Sequence, residues 1–593
     1  MSLLEVTRLN IRYTDTPQPV VSNVSLKVEA GQSLGIVGES GSGKTQTAMA
    51  IMGLLPANAE TAGSIRFDGQ EILGAPAAAL NRYRASRIAM IFQDPMTALN
   101  PYVRIGDQLR RILLEHRMCN AAEAKRRTLA MLEKVGLPDA ERQFRAYPHQ
   151  LSGGMRQRVM IGAALIGQPD LLVADEPTTA LDVTIQAQIL GLLRELRTQS
   201  NTALLLITHD LSVVAGTCDD LVMMNEGRLV EEGTTQKVIL TPQHERTARL
   251  IACSPRLDMT TRVTPLAAES KPIIEIDDIA VSFRERRKGR FGQLHAVRTM
   301  SLKLAAGETL SIVGESGSGK TSLARAVLGL VAAKSGTLRF QGEQIPGRVQ
   351  ARSNAILRQL QMVFQDPANS LNPAMRVAEI IEEPIAVHDP SLSKADREKA
   401  VNEMLQHVHL SIDLRDRYPH ELSGGQAQRV AIARALVIKP TVLVCDEAVS
   451  ALDSTTQNEI LNLLQAEQKQ AGLSLVFITH DLSVVRLISH RVLVLYLGRV
   501  CEVADSKDLF KRPRHPYTKA LLEAVSMPQS GDEPQQAPLV GEVASILNPP
   551  PGCPFHPRCE HAVAKCSSEV PQLQSIDGTR VACHRASELD LSY

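Results

Sequence analysis

Two copies of one octapeptide carry most of the chemistry in this chain: Gly38-Glu39-Ser40-Gly41-Ser42-Gly43-Lys44-Thr45 and Gly314-Glu315-Ser316-Gly317-Ser318-Gly319-Lys320-Thr321. The glycines, with Ser40 and Ser316 among them, let successive backbone N–H groups converge on a phosphate. Lys44 and Lys320 add positive charge beside the terminal phosphates, and the hydroxyls of Thr45 and Thr321 suit Mg²⁺. An apolar run (34–37, 310–313) precedes each copy and a helix-compatible stretch follows, so each is read as a strand, a phosphate-binding loop and a helix whose N-terminus favours the anion. One match alone is compatible with a plain Gly-rich turn; two identical copies in matching contexts leave little room for that reading.

Other candidate residues sit at fixed places after each loop. Residues 171–176, Leu-Leu-Val-Ala-Asp-Glu, read as a buried parallel strand that delivers two carboxylates at the sheet's C-terminal edge. Asp175 is placed to hold Mg²⁺ through water, and Glu176 to orient or deprotonate an attacking water; Asp446 and Glu447 repeat the pair. Beside a phosphate loop, the alternative that these carboxylates merely cap a turn is weak. Ser152-Gly153-Gly154 and Ser423-Gly424-Gly425 each open a helix and make a second anion site, although either alone would be an ordinary turn. Tyr13 and Phe283 precede the loops; each suits either base stacking or a half-buried strand position.

Positioning these groups requires a repeated frame. The two lysines lie 276 positions apart, the glutamines Gln93 and Gln365 272 apart, and the signature serines, the glutamates and the histidines His209 and His480 each 271 apart. The halves are therefore duplicates with small insertions near the front. In the first half, 3–28 reads as two or three strands, 46–55 as a helix ended by Pro56, 64–73 as strand and turn, and 87–92 as another strand. Residues 102–145 turn helical, with Ile105, Leu109, Ile112 and Leu113 at three- and four-residue spacing. A helix to about residue 199 and a strand over 203–207 then lead to His209. The expected division is 1–256, a linker over 257–271, 272–510, and an extension over 511–593.

Length and composition bound the function. At 593 residues, at least two domains are expected. With 44% hydrophobic and 22% charged residues the chain is an ordinary globular protein, and a net charge of +1 with 3% aromatics and no Trp argues against nucleic-acid binding. No apolar run approaches the ~20 residues of a membrane span; 203–207 and 492–497 read as buried strands. Residues 1–10 lack a signal-peptide pattern, so a cytoplasmic location is expected.

The ordered set resembles the ATP-binding-cassette family of ATPases, twice over and across nearly the whole chain. The resemblance implies an α/β fold of two tandem P-loop cassettes, each with a helical subdomain, paired head to tail within one chain. Each ATP would lie between the phosphate loop of one cassette and the Leu-Ser-Gly-Gly signature of the other. One site would combine Tyr13, Lys44, Thr45, Gln93, Asp175, Glu176 and His209 with Ser423, Gly424 and Gly425. The other would combine Phe283, Lys320, Thr321, Gln365, Asp446, Glu447 and His480 with Ser152, Gly153 and Gly154. Glu176 and Glu447 would be the catalytic bases, His209 and His480 would contact the γ-phosphate, and Gln93 and Gln365 would join Thr45 and Thr321 around Mg²⁺.

Segments 94–101 and 366–373 look like those of bacterial dipeptide and oligopeptide importers. So does the tail, with Arg514-His515-Pro516-Tyr517-Thr518 and Gly552-Cys553-Pro554-Phe555-His556-Pro557-Arg558-Cys559. The first half has Gln243-His244-Glu245-Arg246-Thr247 at the matching place and departs from the His-Pro-Tyr-Thr pattern, so one full extension is expected. The implied partners are two membrane permeases and a periplasmic substrate-binding protein, with peripheral attachment at the cytoplasmic face of the inner membrane. A soluble twin-cassette ATPase acting on ribosomes is the alternative, disfavoured by the short linker and the C-terminal position of the cysteines.

Four of the nine cysteines, Cys553, Cys559, Cys566 and Cys583, cluster in the tail with spacing C-x5-C-x6-C-x16-C. In a reducing compartment they suit an iron–sulfur cluster or tetrahedral zinc, or remain free thiols. The absence of tight C-x2-C pairs and the importer resemblance point to 4Fe-4S. His556, His561 and His584 read as surface or packing histidines, and Cys119, Cys218, Cys253, Cys445 and Cys501 as core residues.

Overall fold

The computed structural model describes residues 2–16, 18–178, 182–257, 259, 261–263, 266, 270–287, 290–449, 452–525, 541, 544 and 546–592. Ala180, Leu181, Ser450 and Ala451, together with much of the linker and of 526–545, lie outside the described residues.

Each half is built on two sheets. In the first, Val21–Glu29, Ser2–Tyr13, Ala59–Phe67 and Gln70–Glu71 form an antiparallel sheet. Val21–Glu29 buries nearly every second side chain, as a sheet with one wet face requires. Against it lies a six-stranded sheet ordered Arg228–Thr234, Asp220–Asn225, Ser33–Gly38, Ala203–Thr208, Leu171–Asp175, Ile88–Ile91, parallel except at the first pair. Ser33–Gly38 and Leu171–Asp175 are buried at every position because both faces are covered. Their C-terminal ends thus point the phosphate loop and Asp175 at the same sheet edge.

The loop runs straight into helix Lys44–Met52 through Gly43 (φ 95°), and Gly53 (φ 61°) ends it. This helix starts before the expected residue 46 and stops short of 55, because a glycine in the left-handed region closes it three residues ahead of Pro56. The stretch expected to be helical resolves into Ile105–Glu115, Ala121–Lys134 and Ala140–Phe144; the side chains of Asn120 and Asp139 cap the latter two. With Gly153–Leu165 they enclose a separate apolar core around Leu109, Leu113, Leu132 and Val159.

The second half repeats this plan with one addition. Its central sheet has eight strands, ordered Leu360–Val363, Val442–Asp446, Ser474–Ile478, Thr309–Val313, Arg491–Tyr496, Arg499–Asp505, Thr579–Val581, Gln574–Ile576. The last two come from the C-terminal extension, which pairs Val581 with Glu502. Within the linker, Arg262 donates its backbone N–H to Leu487 and its guanidinium to Asn458 and Asn462. Helix Glu245–Cys253 of the first half packs on Ser454–Ala471 of the second, and Pro516–Val525 packs reciprocally on Val183–Ser200. No helix among the described residues is long and apolar enough to cross a membrane.

Candidate functional site

In both halves the sheet edge gathers the same side chains. Lys44 turns its ammonium onto the carbonyls of Gly38 (2.7 Å) and Glu39 (2.8 Å), and Lys320 does the same with Gly314 (2.6 Å) and Glu315 (3.0 Å). These carbonyls are the lysines' acceptors, and burial pushes both lysine pKa values down. The Thr45 hydroxyl donates to Asp175 (3.2 Å), and that of Thr321 to Asp446 (3.0 Å). Burial, opposed by the threonine bond and reinforced by Glu176, raises the Asp175 carboxyl to about 6; Asp446 is raised by the same causes. A buried carboxylate beside a hydroxyl is a pair of hard oxygen donors that fits Mg²⁺.

Glu176 and Glu447 are the most constrained residues of the two sites. Each follows the central strand with a left-handed backbone, at φ 47° and 49°, a conformation that a non-glycine residue adopts at a cost. Their N–H groups bond to Ile207 and Ile478 on the neighbouring strand. That turn aims the carboxylates inward, where Gln93 and Gln365 donate to them at 2.9 and 2.7 Å. His209 Nδ1 lies 3.2 Å from Glu176, and His480 Nδ1 3.7 Å from Glu447. Burial opposes charge on these rings, but the glutamate beside each prevails and holds both histidine pKa values above their ordinary value. Burial likewise disfavours the Glu447 carboxylate, and His480 outweighs it, so that pKa is lowered.

Tyr13 is half-buried and bonds to Gln46 through its hydroxyl, whereas Phe283 stands exposed. Ser152 and Ser423 cap the helices Gly153–Leu165 and Gly424–Leu436 by accepting the N–H of Met155 and Gln426 (both 3.3 Å).

The halves also meet at the phosphate loops, through residues outside the two sets assigned to the sites above. Thr184 donates to the Glu315 carboxylate (2.6 Å), and Thr455 to that of Glu39 (2.7 Å). Asp182 accepts the Ser316 N–H and faces Lys320, and Asp453 faces Lys44. Among the described residues, Thr184, Asp182 and Thr455 hydrogen-bond to the loop of the opposite half, whereas the Ser152 and Ser423 side chains cap their own helices. Asp182 and Asp453 close the Ala-Leu-Asp segments that the sequence repeats 271 positions apart, the spacing of the glutamates and histidines.

The four tail cysteines line a single small cavity with Phe555, His556, His561 and His584. Burial pushes the thiols of Cys559 and Cys583 up to about 11. Among the described residues, no three His, Cys, Asp or Glu side chains stand close enough to hold one metal ion. His556 Nδ1 and His584 Nε2 bond to the carbonyls of Cys553 and Glu569, as packing histidines do.

A phosphate loop at the end of a buried parallel strand, with a histidine after the adjacent strand and an Asp-Glu pair at the end of the strand beyond it, defines a P-loop nucleoside-triphosphatase, present twice. Residues 21–179 and 297–450 match the ABC transporter family, and 501–566 match the C-terminal region of oligopeptide/dipeptide transporters. Relatives of matching length include the peptidoglycan transport ATP-binding protein YejF of Agrobacterium fabrum, 44% identical over 88% of this chain and 96% of its own. The glutathione import ATP-binding protein GsiA of Pectobacterium atrosepticum is 40% identical over 92% of this chain and 93% of its own. An uncharacterized ABC transporter ATP-binding protein YejF of Escherichia coli is 43% identical over 88% and 99%. The chain belongs to the ABC transporter family, as a twin-cassette ATPase that carries the oligopeptide/dipeptide C-terminal region.

Proposed function

We propose that this chain hydrolyses ATP at two composite sites to energise import of peptides or related small solutes, beneath two permeases supplied by a periplasmic binding protein. The observation that carries the reading is the reciprocal facing of the loops, Thr184 on Glu315 and Thr455 on Glu39. Each loop is thereby presented to the other half, and closure on ATP would bring Ser423, Gly424 and Gly425 over the Lys44 loop, and Ser152, Gly153 and Gly154 over the Lys320 loop.

ATP binding draws each lysine from the loop carbonyls onto the phosphates. Thr45, Asp175 and Gln93, and their counterparts Thr321, Asp446 and Gln365, would hold Mg²⁺, which neutralises phosphate charge when bound. Release of Gln93 and His209 from Glu176 frees that carboxylate to orient water in line with the γ-phosphate, while His209 turns to the phosphate oxygens; Glu447, Gln365 and His480 repeat the exchange. Tyr13 and Phe283 would stack on the bases. Met96 and Tyr102, exposed just beyond Gln93, support docking of the permeases at the cytoplasmic face of the inner membrane.

The peptide-type cargo is supported by the C-terminal region and by relatives named for peptidoglycan transport and glutathione import. For the four cysteines we favour 4Fe-4S over zinc. Cys553, Cys559, Cys566 and Cys583, which line one small cavity, would hold it as four thiolates. When bound, the cluster would tie the extension together.

The test is ATP turnover of the purified chain, alone and in lipid with its genomically adjacent permeases and a loaded binding protein. Stimulation by those partners is expected. Turnover indifferent to them, with copurifying ribosomes, would replace this reading with the ribosomal one.

A further inference from the structure

We propose that Arg558 is a positioning residue for the second phosphate loop: acting through Glu315, it lets the cysteine-bearing extension set nucleotide affinity at the Lys320 site alone. The inference rests on the reading of the two octapeptides as ATP sites. Arg558 lies in the short 3-10 turn His556–Arg558, between Cys553 and Cys559. Its guanidinium grips Glu315 with two parallel bonds, Nη1 to Oε2 at 2.8 Å and Nη2 to Oε1 at 3.0 Å. Both side chains are withdrawn from solvent, 4% and 1% exposed. A bidentate guanidinium–carboxylate pair fixes orientation as well as distance, and burial removes the water that would loosen it.

Glu315 is held at every polar group. Its backbone N–H donates to the Tyr517 hydroxyl (2.9 Å), its carbonyl receives Lys320, and its carboxylate takes Thr184 from the first half as well as Arg558. Tyr517 in turn packs with Tyr496 and Phe555, and Arg558 also reaches the Tyr496 hydroxyl at 3.3 Å. The peptide unit that the P-loop lysine touches is therefore set by the tail segment carrying two of the four cysteines.

The first loop has no such tie. Glu39 accepts from Thr455, and among the described residues no ion pair reaches it. The positions 271 before Tyr496 and Tyr517 are Asn225 and Arg246, so the aromatic seat is missing as well.

The experiment measures affinity without turnover, using trinitrophenyl-ATP fluorescence and its displacement by ATP on the full chain. A Lys44→Ala chain reports the second site and a Lys320→Ala chain the first. Arg558→Gln is expected to weaken binding about tenfold in the Lys44→Ala chain and by less than about twofold in the Lys320→Ala chain, within the usual range of coupling between sites. Arg558→Lys, which keeps the charge but not the fork, is expected to lose about threefold at the second site only. Should the glutamine variant fail to fold, the lysine variant carries the test by itself. Equal losses at both sites, or none at the second, would overturn the proposal. If neither Lys→Ala chain binds the probe, the ATP-site reading beneath it fails instead.

Discussion

Glu231 and Glu502 occupy the same place in the two halves and behave in opposite ways. Each lies on the strand that pairs antiparallel with Asp220–Asn225 or Arg491–Tyr496, and each takes two backbone N–H groups at the start of a helix, from Gln243 and His244 in one half and Arg514 and His515 in the other. In the first half burial is slight, the hydrogen bonds prevail, and the Glu231 pKa is lowered. In the second, strand Thr579–Val581 and helix Pro516–Val525 cover the same carboxyl; burial outweighs the bonds from the two N–H groups and raises it to about 7. The duplicated halves thus share their chemistry, while the C-terminal extension makes the second a drier, more tightly tied structure. Glu39 and Glu315 repeat the lesson at the phosphate loops.

The largest effect expected from this contrast is at the helix that starts beside these carboxylates. Tyr517→Ala removes a fully buried ring from the cluster with Tyr496 and Phe555 and should cost ~3–5 kcal/mol in denaturant unfolding. Arg246→Ala, at the matching position of the first half, should fall within ~0.5 kcal/mol.

Next is the pH response of Glu502. Its folded pKa lies above its unfolded one, so its contribution to stability is full below about 4.5 and is lost as pH rises to about 7. That loss is on the order of 3 kcal/mol. Glu231 has the opposite sign: its contribution is present above its unfolded pKa and lost as pH falls through the lowered folded value. Thermal unfolding of Glu502→Gln between pH 5 and pH 8 should show a flatter profile than the unsubstituted chain. An unchanged slope would assign the pH dependence elsewhere.

The hydrogen bonds between the halves come third. Thr184→Val removes a buried bond to a carboxylate and should cost ~1.5–3 kcal/mol, and Thr455→Val, at a wetter site, about half that, by calorimetry. Equal costs would mean that the extension does not dry the second interface. Smallest is Tyr13→Phe, which gives the first half the ring that Phe283 supplies in the second. It removes only the hydroxyl bond to Gln46 and should cost ~0.5–1.5 kcal/mol with ATP affinity unchanged.

Much of this was legible in the sequence because the chemistry is local. The octapeptides, the Asp-Glu strand ends and the histidines each announce themselves by residue type within a short window, and their recurrence in the same order declared the duplication. The left-handed backbone at Glu176 and Glu447 was not legible, since glutamate is no marker for that conformation. Nor was the bond from Arg558 to Glu315, which joins residues 243 positions apart and exists only once the extension folds over the loop. Helix ends shifted by a few residues where a glycine cap, rather than the proline beyond it, decided the stop.

The central claim is that both sites hydrolyse ATP and act as a coupled pair. ATP turnover of the full chain in lipid with its permeases, compared with Glu176→Gln and Glu447→Gln, tests it most directly. The account predicts that either substitution alone nearly abolishes turnover, a loss of about 100-fold or more for removal of a base that acts in the transition state. Full turnover surviving one of the two substitutions would contradict it and leave a single working site.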